Sequence, residues 1–117
     1  MLPKDPVKRA QIRGFCEVIN SAIHPYQNLR VLKKVTEEFG ADKIKWAKDW
    51  ILKGMDTLET LLAKSHGKYC FGDELSLADA FLAPHAIGAS ARFGVDLAAY
   101  PHCKQVIDNV GELEAFR

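Results

Sequence analysis

Polar positions nearly vanish just after Ser76. Leu77, Ala78, Ala80, Phe81, Leu82, Ala83, Ala86 and Ile87 leave almost no solvent-facing stripe before Arg92. A helix that is apolar on every side is normally a buried one. The segment from Leu77 to about Arg92 is therefore expected to be the central helix of the domain. Its start is marked by Ser76 and, three residues on, Asp79. In a capping box of this spacing the hydroxyl accepts from the Asp79 N–H, and the carboxylate reaches back to the Ser76 N–H. That role accounts fully for Ser76 and Asp79, so Asp79 is not assigned any chemistry.

Helical spacing governs the rest of the chain. Val7, Ala10, Gln11, Gly14, Phe15, Val18, Ile19, Ala22 and Ile23 recur at three and four. With Asp5 as cap and Pro6 in the first turn, they predict a helix from Pro6 to between Ser21 and Ile23. His24-Pro25 breaks or kinks it, because proline lacks an N–H and clashes with the carbonyl four residues back. Helix resumes through Val31, Leu32 and Val35 and ends near Phe39, where Gly40 suits a left-handed cap. Asp42 caps the longest helix. Its apolar face is Trp46, Ala47, Trp50, Ile51, Met55, Leu58, Leu61 and Leu62, and Gly67 ends it. Gly54 inside that helix costs about 1 kcal/mol against alanine and predicts a close helix crossing. Pro84 should bend the central helix, and Gly94 should end it. Tyr100-Pro101 opens a last helix with Val106, Ile107, Val110 and Leu113 on one face. No alternating strand pattern and no repeat appears. The expected class is all-α, five or six helices around one core.

At 117 residues the chain reads as one domain, 1–117. It is long enough to bury roughly two-thirds of its unfolded surface without metals or disulfides. Sixteen basic and 15 acidic residues leave a net charge of +1, which gives no support for a nucleic-acid footprint. Lys33, Lys34, Lys43, Lys45 and Lys48 are interleaved with Glu37, Glu38, Asp42 and Asp49, as on a solvated face. Cys16, Cys70 and Cys103 are odd in number and form no Cys-x-x-Cys pair. Reduced thiols in a cytoplasmic setting fit them. No apolar run approaches the roughly 18 residues of a membrane span. His24, His66, His85 and His102 form no metal-binding motif, and no nucleophile elbow or glycine-rich phosphate loop is present.

Two polar groups stand out. His24, Asn28 and Arg30 flank the break, where a restarting helix presents unpaired N–H groups at a positive dipole end. They could receive a carboxylate-bearing ligand, or they could simply satisfy the broken backbone. Arg92 ends the central helix. Its guanidinium could grip a carboxylate with two hydrogen bonds or stabilise its own helix terminus.

Gly72-Asp73 with Ser76-x-Ala78-Asp79 resembles the capping segment of the glutathione transferase C-terminal domain. Longer stretches are more discriminating. Leu2-Pro3-Lys4-Asp5-Pro6-Val7-Lys8-Arg9-Ala10, Ile23-His24-Pro25-Tyr26-Gln27-Asn28-Leu29-Arg30-Val31-Leu32, Ala91-Arg92-Phe93-Gly94-Val95-Asp96-Leu97 and Ala99-Tyr100-Pro101 resemble the zeta class, the maleylacetoacetate isomerases. The similarity covers nearly the whole chain.

The resemblance implies the helical, substrate-side domain of a glutathione-dependent isomerase of tyrosine and phenylalanine breakdown. In such enzymes the glutathione thiolate adds to the cis double bond of maleylacetoacetate. Rotation and elimination then give fumarylacetoacetate and return glutathione. The resemblance further implies glutathione as cofactor, with His24, Asn28, Leu29 and Arg30 at its site. It puts Arg92 on a carboxylate of a small dicarboxylic substrate, and it implies a cytoplasmic homodimer. It assigns no catalytic residue here. The family's thioredoxin-like N-terminal domain, with its Ser-Ser-Cys motif, is not in this sequence, and the chain alone is expected to be inactive. Three features depart from the family pattern. His85 stands where a glutamine usually follows Pro84, and Gly88 or Ala89 replaces an asparagine. A proline-rich tail is missing after Phe116-Arg117. A reading from another class is a non-catalytic domain of this type serving as a protein interaction module.

Overall fold

Asp5 opens the first helix as the pattern predicts, its carboxylate accepting from the Val7 N–H at 3.2 Å. The computed structural model describes residues 1–113; the expected end of the chain at Phe116-Arg117 lies outside them. Six α-helices follow in order: α1 (Pro6–Ala22), α2 (His24–Gln27), α3 (Leu29–Phe39), α4 (Lys43–Ser65), α5 (Leu77–Phe93) and α6 (Pro101–Gly111), with a short 3₁₀ turn at Leu97–Ala99. Among the described residues there is no strand, only one isolated bridge between His66 and Gly72.

Helix α5 holds the centre. It packs against α1, α4 and α6, and Ala78, Leu82 and Ala86 are wholly buried against Ile12, Phe15 and Ile19 of α1 and the inner faces of α4 and α6. The apolar ring around α5 is not covered on all sides, however. Pro84 and Ile87 are exposed, Ile87 by 56%. Helix α5 runs on through Pro84.

The capping box forms, with the carboxylate as its hub. Asp79 Oδ2 accepts from the Ser76 N–H at 2.8 Å and from its hydroxyl at 3.2 Å. The Asp79 N–H donates to the Ser76 carbonyl at 3.1 Å. Asp79 Oδ1 reaches beyond the helix and accepts from the Cys70 N–H at 2.9 Å. The fully buried carboxylate thereby fixes the segment Tyr69-Cys70-Phe71, whose side chains complete the core.

Helix α6 starts without help from its own N-cap, since Tyr100 makes no side-chain cap bond. Glu59 of α4 supplies the missing acceptors. Its Oε1 takes the His102 N–H at 2.7 Å and lies 2.7 Å from His102 Nδ1, while Oε2 takes the Cys103 N–H at 2.9 Å. Burial alone would raise the Glu59 carboxyl, but these hydrogen bonds outweigh it and hold the group below the usual carboxylate range. At the far ends of helices, Gly40 and Gly94 adopt φ of 63° and 66°, the left-handed geometry of C-terminal caps.

Candidate functional site

The break after α1 is fixed in space mainly by α4. Gly54 lets Ile23, the residue at the break, lie directly on the α4 backbone; a Cβ there would overlap Cδ1 and Cγ1 of Ile23. Tyr26 stacks on Trp50 with ring centroids 3.9 Å apart, and the Trp46 indole N–H donates to the Tyr26 carbonyl at 2.9 Å. Asn28 then starts α3, its Oδ1 accepting from the Arg30 N–H at 3.1 Å. The one-turn helix α2 is thus clamped at a set height above α5.

Between this break and the second half of α5 lies an open cleft of about 1070 Å³. His24, Asn28 and Leu29 line it from one side, and Arg92 lines it from the other. Four of the five residues singled out from the sequence therefore share one cavity, although 62 residues or more separate Arg92 from the break. Arg30 is exposed and not part of the lining. Its backbone N–H is taken by the Asn28 cap, which realises part of the backbone-satisfying role expected of this group.

Arg92 is not spent on its own helix end. The Gly94 and Val95 N–H groups donate to the carbonyls of Ser90 and Ala89, and among the described residues the guanidinium has no hydrogen-bond or ion-pair partner. Lys33 and Lys43 join it in the lining, against one acid among the described residues, Glu37. Such an excess of positive charge in a cleft raises the local concentration of anions. Leu29, 82% exposed, gives the mouth an apolar contact.

A further lining residue, His85, stands out in the sequence as a departure from the family pattern and as one of four histidines without a metal motif. His85 is 6% exposed, and its Nδ1 lies 3.3 Å from His24 Nε2. Burial, followed by the His24 charge, pushes His85 down to about 4, and burial lowers His24 as well. Both shifts favour the neutral form of the rings. No local spacing could have paired them, because they lie 61 residues apart. Only the meeting of α2 with α5 brings them together. Gln27 also lines the cleft, with a buried Oε1 that has no partner among the described residues.

Other chemistry is sparse. The three cysteines are free and buried, and burial raises their thiols, Cys16 to about 11. They are poor nucleophiles. Among the described residues no group of three or more metal-ligating side chains forms, and no helix is long and apolar enough to cross a membrane.

Residues 45–109 match the family model for the glutathione S-transferase C-terminal domain. The chain belongs to that family. Within it the similarity is to the zeta class. The maleylacetoacetate isomerase of Rattus norvegicus is 44% identical over this whole chain, which spans 52% of that relative's length. A bacterial zeta-class maleyl pyruvate isomerase superposes with a TM-score of 0.91 at 40% identity, over 99% of this chain and 57% of the other. The maleylacetoacetate isomerase of Anaeromyxobacter dehalogenans, solved with dicarboxyethyl glutathione and citrate bound in its active site, gives a TM-score of 0.93 at 36% identity, over 98% of this chain and 53% of the other. The chain thus spans about half the length of the relatives it matches.

Proposed function

We propose that this chain is the helical, substrate-side domain of a glutathione-dependent maleylacetoacetate isomerase. Glutathione lies against His24, Asn28 and Leu29, and Arg92 holds a carboxylate of a small dicarboxylic substrate. Arg30 contributes at the edge, through charge rather than by lining the cleft. The observation that carries this reading is the gathering of His24, Asn28, Leu29 and an Arg92 with no partner among the described residues around one positively charged cleft, in a chain similar to zeta-class isomerases over its whole length. The thiolate-stabilising chemistry comes from a thioredoxin-like domain. The exposed Pro84 and Ile87 on an otherwise apolar helix support a covering partner of that kind. Three free cysteines fit a reducing, cytoplasmic compartment, and the active form is a homodimer.

The test uses the chain as it is, with glutathione and maleate added separately and together while backbone amide NMR signals are followed. Saturable shifts confined to residues 24–29 and 85–92 are expected, with no turnover of maleylacetoacetate. Joined to the thioredoxin-like half of the rat enzyme, the chain should isomerise. Shifts scattered over the surface, or turnover by the chain alone near the rate of a full-length relative, would sink the reading.

A further inference from the structure

Two neutral imidazoles meeting at 3.3 Å share a single proton, so one nitrogen donates and the other accepts. The surroundings decide which. His85 is more than nine-tenths buried, and its second nitrogen, Nε2, is buried without a partner among the described residues. If His24 Nε2 donated, His85 Nδ1 would accept and its own proton would sit on Nε2. That would bury an N–H with nothing to receive it. If His85 Nδ1 donates, Nε2 is left as a bare lone pair. Orphaned buried N–H groups are rarer and costlier than under-used acceptors. The second arrangement therefore wins, and it has a consequence for His24. With Nε2 occupied as an acceptor, the neutral His24 ring must carry its proton on Nδ1. His24 is exposed at the cleft, and Nδ1 has no partner among the described residues.

We propose that His85 is a positioning residue: its Nδ1–H holds His24 as the Nδ1–H tautomer, so that His24 offers a neutral N–H donor to a carboxylate or carbonyl oxygen of the ligand in the cleft. The ligand part of this proposal rests on the glutathione reading above. The second nitrogen of a histidine commonly sets what the first can do. Here the setting comes from a helix 61 residues away. His85 is given no ligand contact of its own, because Nδ1 is taken by His24 and Nε2 is closed to solvent. The charged groups sharing the cleft, Lys33, Lys43, Arg92 and Glu37, sum to a positive field that also disfavours a second proton on the pair.

Ring-nitrogen NMR of the ¹⁵N-histidine-labelled chain tests the tautomer directly, without ligand. The expected pattern is a protonated Nδ1 and a bare Nε2 on both His24 and His85. In His85→Phe, which keeps the ring's bulk, His24 should revert to the Nε2–H form that free imidazoles prefer. Its titration midpoint should rise, and glutathione binding should weaken about 2- to 10-fold. His85→Gln keeps a donor in reach and should restore the Nδ1–H form and most of the affinity. Helical circular dichroism verifies that each variant is folded, and should His85→Phe unfold, the wild-type ring pattern and His85→Gln still decide. A wild-type His24 protonated on Nε2, or a folded His85→Phe with unchanged tautomer and affinity, would overturn the role of His85. Failure of the wild-type chain to bind glutathione despite the expected tautomers would instead overturn the glutathione reading, and with it the ligand half of this proposal.

Discussion

Two polar centres flank α5, and they differ in how their hydrogen bonds are spent. At its start, Asp79 is fully buried, and both its oxygens are occupied, by Ser76 and by Cys70. Near its end, Arg92 has no partner among the described residues, and Gln27 Oε1, in the same cleft, is buried without one. A buried polar group left unsatisfied costs about 1–3 kcal/mol. The first centre is complete within the chain and holds the fold together. The second leaves polar groups free, which is what the proposed ligand site requires. In this domain, the residues that point to a ligand are those with bonds left to make.

The contrast breaks most readily at Asp79. In Asp79→Ala the N–H groups of Ser76 and Cys70 stay buried with no acceptor, at a cost of about 2–5 kcal/mol for the two. Urea unfolding should show that loss, enough to unfold a marginal domain. A loss below about 1 kcal/mol would mean that the carboxylate is not the hub described. Gly54→Ala comes next, at about 1–3 kcal/mol, because the added methyl must displace the buried Ile23. The same substitution made in an Ile23→Ala background should cost clearly less. Additive costs in that cycle would place the strain elsewhere.

The helices were legible because each carries its own period and caps. Asp5, Asp42, Gly40 and Gly94 act where the pattern put them. Gly54 was legible as a close crossing, because a glycine inside a well-formed helix often serves one, although Gly14 and Gly88 sit in helices with open space beside them. The open side of α5 was not legible, since hydrophobicity records what prefers to be covered and not what covers it. Glu59 was hidden among the outward-facing polar residues of α4, because its partners are backbone N–H groups of another helix, about 43 residues on. At the candidate site, the unusual local chemistry of His24-Pro25 and Arg92 drew attention to both. Their shared cleft, and the pairing of His24 with His85, depend on how α2 docks on α4. No spacing in the sequence encodes that.

Glu59 gives the comparison a pH axis. Its folded-state carboxyl lies below its ordinary value of 4.5, so its contribution is present above the unfolded value and is lost as pH falls through the folded one. Glu59→Gln should destabilise the chain by about 1–2 kcal/mol at pH 7. The gap to the wild type should close in acid, below about pH 4.5. A pH-independent gap would show that packing, not the charge, matters there. Ser76→Ala should cost about 1 kcal/mol, less than Asp79→Ala, because the Ser76 N–H keeps its bond to the carboxylate.

Arg92→Ala should have the smallest effect on stability and the largest on binding. The guanidinium is exposed and has no partner among the described residues, and the helix end it sits on is already capped by Gly94. Unfolding free energy should therefore move by less than about 0.5 kcal/mol, with at most a small loss from the helix dipole. A bidentate bond to a carboxylate is of the charge-assisted kind, about 1.5–3 kcal/mol, so maleate binding should weaken by about 10- to 150-fold. Arg92→Lys should recover only part of it, since an ammonium keeps the charge but not the fork. A variant that loses stability and keeps its affinity for maleate would reverse the contrast. Arg92 would then belong with Asp79 among the groups that serve the fold, and the cleft would have no anchor for a carboxylate at that end.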